Sequence, residues 1–221
     1  MYRPAANRVD DLAASLDLLR SHGFGHLVVT GPDGLDAVPV PVLVDEPADP
    51  ADVGTDGAGL RIRAHVARAN PIWRRAPCAA LLIVQPTDAY VSPAYYPSKR
   101  EDPRVVPTWN YEVVHVHGTV QAHDDAAWLA GVVGDLTAHH ESKRTTPWSV
   151  DDAPADYVAR MLRAIVGLEV AVTRIEAKRK LSQNRSATDV AGVIAGLAAG
   201  PPRDRRTAMA MADITGSSPG D

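Results

Sequence analysis

The chain has 221 residues, of which 45% are apolar and 23% charged, and a net charge of −4 at neutral pH. That is enough apolar chain for one sizeable core, and no Lys/Arg block gives it the electrostatic footprint of a nucleic-acid-binding domain, which weighs against direct DNA binding. The single cysteine, Cys78, excludes an intrachain disulfide and reads as a small core residue; no signal-peptide pattern and no apolar run of bilayer length is present, so the expectation is a cytoplasmic protein without membrane contact.

In chain order, Asp10 and Asp11 open a predicted helix with Leu12, Leu16 and Leu19 at helical spacing, and Gly23 stops it. Phe24 to Thr30 reads as a strand, Gly31–Gly34 as a hairpin turn, and Leu35 to Val44 as the return strand. Pro39 and Pro41 lie two apart, so both missing amides fall on one side and mark an edge or bulged strand. Residues 48–59 form a Pro/Asp/Gly loop. A third strand (60–66), a short helix near 68–75 and a buried strand (78–85) follow. Residues 90–106 form a long irregular segment of the kind that carries function.

The run Val106-Pro-Thr-Trp-Asn-Tyr-Glu-Val-Val-His-Val-His-Gly118 is the most informative stretch. It places a hydroxyl, an indole, a carboxamide and a phenol side by side, then becomes a strand with Val114, Val116 and Val120 on one face. Beyond it the pattern predicts helices from Asp124 to about His140 and from Pro154 to about Ala164. A last strand spans 166–175, and a helix capped by Ser186 runs to Leu197. We expect one domain over residues 1–198 and a C-terminal tail over 199–221 that is partly disordered. About six strands with hairpin-like connections and peripheral helices predict an α+β fold built on a closed antiparallel barrel. No Gly-rich nucleotide-binding loop is present.

Several side chains are candidates for a site. Arg63, Arg68, Lys99, Lys180 and Arg185 are either surface charges or anchors for phosphate or carboxylate oxygens. Gln183, Asn184 and Ser186 precede a helix start, where backbone N–H groups favour an anion, although Ser186 reads equally as a simple cap. His65 closes the third strand as either a structural histidine or an iron ligand; without a C-x-x-C-H segment any haem is non-covalent. His115 and His117 read as outward-facing strand residues. Trp73, Tyr90, Tyr95, Tyr96, Trp109 and Tyr111 cluster in sequence more than a random core requires.

Six segments then occur in the order in which PaiB-like proteins carry them: Met1-Tyr-Arg-Pro4, His65-Val-Ala-Arg-Ala-Asn-Pro71, Tyr96-Pro-Ser-Lys99, Val106-Pro-Thr-Trp-Asn-Tyr111, Val150-Asp-Asp-Ala-Pro154 and Lys180-Leu-Ser-Gln-Asn-Arg185. The chain resembles that family, whose members are labelled FMN-binding negative transcriptional regulators, from Met1 to about Leu197. The resemblance implies an FMN-binding split barrel, an antiparallel Greek-key-like barrel with peripheral helices, that forms a homodimer with cofactor sites at the subunit interface. The family includes haem-dependent piperazate synthases. Likeness to these implies an enzyme that uses haem b to close an intramolecular N–N bond in N5-hydroxy-L-ornithine, with His65 as the axial ligand and metal-binding residue. In that reading Lys99 or Arg185 holds the carboxylate of the small amino-acid substrate. Trp109 walls the cofactor, Thr108 and Asn110 hydrogen-bond its edge, and Arg63, Arg68, Lys180 and Gln183 complete the cofactor-binding set. The alternative is a PaiB-type regulator that binds FMN or haem without turnover. The chain departs from the usual pattern at Ala177 and Arg179, where the family tends to carry Gly and Trp.

Overall fold

A computed structural model describes residues 1–32 and 34–216. The strands are β1 (Arg8–Val9), β2 (Phe24–Gly31), β3 (Gly34–Pro41), β4 (Leu43–Asp45), β5 (Arg61–Ala67), β6 (Cys78–Val91), β7 (Thr108–His123) and β8 (Ile165–Lys180). The α-helices are α1 (Leu12–His22), α2 (Ala126–Glu141), α3 (Ala155–Arg163), α4 (Ala187–Ala198) and α5 (Pro202–Thr215). The sheet order is β3-β2-β6-β7-β8-β5-β4, with β1 also on β8. Among the described residues there are eight strands where six were expected: β1 is two residues long, too short to show a period, and the return strand expected over 35–44 is split at Val42 into β3 and β4.

The chain divides into two compact units, and the long strands β6, β7 and β8 contribute residues to both. One unit comprises residues 20–84 and 115–175. Here β2 buries Gly25, Leu27 and Val29 in strict alternation and pairs antiparallel with β3 on one side and with Ala80–Ile83 of β6 on the other. Pro39 and Pro41 stand opposite His26 and Phe24 on β3, at the end of the strand order, where a missing amide leaves no ladder bond unmade. Gly23, at φ +60°, ends α1 in the left-handed conformation that an L side chain resists. β5 buries Ile62, Ala64 and Val66 and pairs along its length with the first half of β8, His65 facing Gly167. The Asp125 carboxylate caps α2 by accepting from the Trp128 N–H at 2.8 Å.

The other unit comprises residues 1–19, 85–114 and 176–221. Its core gathers Val91, Tyr96, Leu181, Val193, Leu197 and Met211, each large side chain contributing about 1.5–3 kcal/mol on burial. α4 presents Gly196 to the Tyr95 ring, where an added Cβ would lie 2.4 Å from a ring carbon. α5 lies within the stretch 199–221 read from sequence as the C-terminal tail. Residues 202–215, read there as tail, form a helix whose Thr207, Ala208, Met211 and Ala212 are buried. Pro202 in its first turn and Gly216 (φ +67°) past its end are helix boundary signals that the flanking Pro, Gly and Ser residues obscured. Residues 217–221 lie outside the described residues. β8 likewise runs five residues past its expected end at Ile175. Thr173 and Arg174 are both exposed and shift the buried positions from even to odd numbers, so the period breaks while the strand continues.

Candidate functional site

The start of β7 and the end of β8 build one cavity of about 300 Å³ in the unit that holds both ends of the chain. Its walls include Tyr96, Thr108, Asn110, Lys180, Ser182 and Arg185. Alternation along β7 turns Asn110 inward, and it is fully buried. Its Nδ2 donates to Ser182 Oγ at 2.9 Å, and the Ser182 hydroxyl donates back to Asn110 Oδ1 at 3.1 Å. Ser182 adopts φ +66°, an uncommon conformation for a residue with a side chain. Gln183 fixes the turn, accepting from the Leu181 N–H and donating to the Arg179 carbonyl, each at 2.7 Å.

Lys180 Nζ donates to Thr108 Oγ1 at 2.7 Å and to the Trp109 carbonyl. Its pKa is lowered from the usual lysine value, first by burial and then by the positive charges of Lys178 and Arg185. Arg185 lies over the Tyr96 ring, 4.8 Å from its centroid. No Asp or Glu is among the residues lining the cavity. Two cations crowd a half-enclosed space without a carboxylate in its walls, an arrangement suited to an anion.

Of the remaining sequence candidates in this unit, Lys99 is exposed at the end of a short turn. That turn is pinned by Asp189, which accepts from the Ser98 N–H at 3.1 Å and from the Ser98 hydroxyl at 2.8 Å. Trp109 is about half exposed, makes an edge contact with Tyr90 at 6.0 Å and lies under the Arg203 guanidinium. The six aromatics do not form one core patch. Tyr96 is buried, Tyr90 and Trp109 are exposed, and Trp73 belongs to the other unit, where its indole donates to the Arg68 carbonyl. Arg179 answers a need the sequence did not reveal. Its Nε lies 2.8 Å from Glu112 Oε1, the carboxylate of a nearly buried side chain. Glu112 has the same parity as Asn110 and Val114, which is the signal that would have placed it inside. Ala177, fully buried, faces Val9 on β1.

In the other unit, Arg63 donates to Asp45 at 2.7 Å and to Asp135 at 2.8 Å, and these bonds hold it firmly charged. Arg68 pairs with Asp124 and donates to the carbonyls of Arg163 (2.7 Å) and Ile165 (3.0 Å). Arg63 and Arg68, two of the five anion donors expected from sequence, are thus occupied by carboxylates of the chain. His65 is half-buried, burial lowers its pKa so that the neutral imidazole is favoured, and its buried Nδ1 has no hydrogen-bond partner among the described residues.

A family model described as "Putative FMN-binding domain" matches residues 1–174. The chain belongs to this FMN-binding family. It is similar to the protease synthase and sporulation protein PAI 2 of Bacillus subtilis, with 30% identity over 196 residues covering 88% of this chain and 87% of that one. Among solved structures it resembles a conserved hypothetical protein from Mycobacterium tuberculosis (TM-score 0.54, 16% identity, 83% of this chain and 92% of that one). It also resembles an FAD and haem binding protein from Mycobacterium smegmatis (TM-score 0.52, 18% identity, 78% and 73%). The fold is the split barrel expected from sequence, α+β with an antiparallel sheet. Among the described residues no helix is long and apolar enough to cross a membrane.

Proposed function

We propose that this chain binds FMN and seats the acidic end of that cofactor in the cavity of Lys180 and Arg185. The observation that carries the reading is the pairing of two cations in a space whose walls hold no carboxylate. Bound FMN supplies reversible electron and hydride transfer. The chain's own residues anchor and orient it. Lys180, already fixed to Thr108, presents its charge at a set position, and the hydrogen-bonded Asn110–Ser182 pair forms part of the same wall. The likeness to PAI 2 supports a regulatory rather than a metabolic role for the bound state.

One observation favours a second reading. The buried Nδ1 of His65, whose pKa burial lowers, has no partner among the described residues, as an imidazole awaiting a metal would. In that reading His65 would hold haem b, whose iron would supply the Lewis acidity that weakens the N–O bond of a hydroxylamine. Arg185 or Lys99 holds the carboxylate of N5-hydroxy-L-ornithine, and the product is the N–N-bonded ring formed by loss of water. We further propose a homodimer, with the exposed Tyr90–Trp109 pair at its interface; light scattering giving a monomer mass at micromolar concentration would reject it.

Side-by-side titration of the full chain with FMN and with haemin tests these readings. Saturable quenching of flavin fluorescence supports the first. Haem uptake with no flavin binding, followed by formation of a product one water lighter than N5-hydroxy-L-ornithine, would replace it with the second.

A further inference from the structure

Among the described residues, α3 is the one α-helix without a buried residue. Its nine residues are too few to hold a helix in water without packing. Val158 and Leu162, one turn apart and half-buried, line the cavities that α3 forms with α2 and supply its attachment. Away from α2, Pro154, Tyr157, Met161 and Ala164 recur at i, i+3, i+7 and i+10, and all four are exposed. Tyr157 is 46% exposed and Met161 40%. Beside the helix opens a cavity of about 620 Å³. Trp148, itself 49% exposed, is part of its wall, and so is Gly134 of α2, where an added Cβ would meet nothing within 4 Å. Three large apolar side chains of one unit are thus left uncovered around a helix that needs cover.

The charges here are ordered along the chain. Asp151 and Asp152 precede α3 and Asp156 lies in its first turn, whereas Arg160 and Arg163 lie in its last. All five are exposed. Arg160 rests on the Tyr157 ring, 5.3 Å from its centroid, and Asp152 accepts from the Ser149 N–H at 2.8 Å. Asp156 and Arg163 have no ion-pair partner among the described residues. They stand two helical turns apart and so share one flank of α3. A uniformly acidic or basic partner, or an anionic lipid surface, would satisfy one end of this helix and repel the other. A second α3 laid antiparallel satisfies both ends at once. Asp156 of each copy then meets Arg163 of the other, about a two-fold axis that crosses the helix between Ala159 and Arg160. The same arrangement sets Tyr157 and Met161 of one copy against those of the other.

We propose that α3 is a self-association face on which a second copy of this chain packs its own α3 antiparallel, with Asp156–Arg163 pairs flanking a seam of Tyr157 and Met161. The contact is additional to any at the Tyr90–Trp109 pair, which belongs to the other unit, and it does not depend on which cofactor the chain binds. A face built from one short helix and its surroundings is small, so the association is of modest affinity and depends on concentration. Its ion pairs are exposed, so added salt weakens it.

Sedimentation of the full chain from micromolar to millimolar concentration tests this. The wild type should show a concentration-dependent doubling of mass that salt reduces, whatever other contact it makes. Asp156→Arg and Arg163→Asp each turn two attractive pairs into two repulsive ones, and each should weaken the step by about ten-fold or more. The chain carrying both changes again sets opposite charges across the two-fold axis, as does an equimolar mixture of the two single variants, and both should associate as the wild type does. Met161→Glu, which keeps a good helix former in α3, should weaken the step as well and carries the test by itself if a charge reversal melts the helix. Amide exchange over residues 155–163 shows whether α3 persists in each variant. A wild type without the doubling, or a doubling that Met161→Glu leaves unchanged, would overturn the proposal. With α3 intact, loss in the single reversals and no recovery in the double variant or the mixture would overturn it too, since a partner other than a second copy would then meet those charges.

Discussion

Lys180 Nζ lies 2.7 Å from Thr108 Oγ1, so the last residue of β8 is tied to the first residue of β7. The same bond holds a lysine of lowered pKa at the wall of the cavity, where an arriving anion would restore its ordinary basicity.

Lys180→Ala and Arg185→Ala should each weaken FMN binding by about ten-fold or more, the loss expected of one charge-assisted contact. Neither should unfold the protein, because removing one of two crowded cations relieves repulsion. Fluorescence titration with thermal melts of both variants checks this. Unchanged affinity in both would detach the cofactor from this cavity.

Arg179 and Glu112 make a pH-dependent prediction. Burial pushes the Glu112 carboxyl above its usual range, and Arg179 opposes that push. With the folded pKa above the unfolded one, the contribution of Glu112 is full below the unfolded carboxylate pKa and is lost as pH rises through the folded value. Arg179→Ala leaves the carboxylate uncompensated, so it should cost about 2 kcal/mol near neutral pH and much less in acid, where Glu112 is protonated in both states. Glu112→Gln in the same chain should recover most of the loss. Urea unfolding at the two pH values measures it, and an equal cost at both would show that the pair acts through packing alone.

Asp189 behaves in the opposite sense. The Ser98 backbone N–H holds its carboxyl below the usual range, with help from the hydroxyls of Ser98 and Ser186. Its stabilisation is complete above the unfolded carboxylate pKa and disappears as pH falls through the lower folded value. Asp189→Asn should cost about 2 kcal/mol, since hydrogen bonds to a charged group are lost. It should also speed amide exchange around Ser98 and Lys99. Protection there equal to wild type would mean that the clasp does not order the turn.

His65→Ala separates the two cofactor readings. Its FMN affinity should stay within about two-fold of wild type, a change too small to register a lost contact. If haemin binds the wild type, the same variant should lose or shift the haem spectrum.

Much of this site was legible in the sequence. Thr108, Asn110, Lys180 and Arg185 stand in motifs and meet in one cavity. Tyr96 also stands in a motif, but sequence marks it only as one aromatic among several; its unpartnered hydroxyl is a property of packing. Glu112 was hidden because a carboxylate inside a strand reads as solvent-facing until its partner, Arg179, is located across the sheet. Arg63 and Arg68 carried the right chemistry for an anion, yet their carboxylate partners Asp45, Asp135 and Asp124 lie 18 to 72 residues away, beyond any local pattern. Helix α5 was missed because its Ala- and Met-rich stripe is broken by charged residues and flanked by Pro and Gly.

The most direct test of the central claim is the absorption spectrum of the full chain as purified, followed by FMN uptake with the stoichiometry measured. Flavin absorption is expected or, for protein purified without cofactor, uptake of one FMN per chain that fails in the Lys180→Ala, Arg185→Ala double variant. A haem Soret band with no flavin uptake, or FMN bound equally well by that variant, would contradict it.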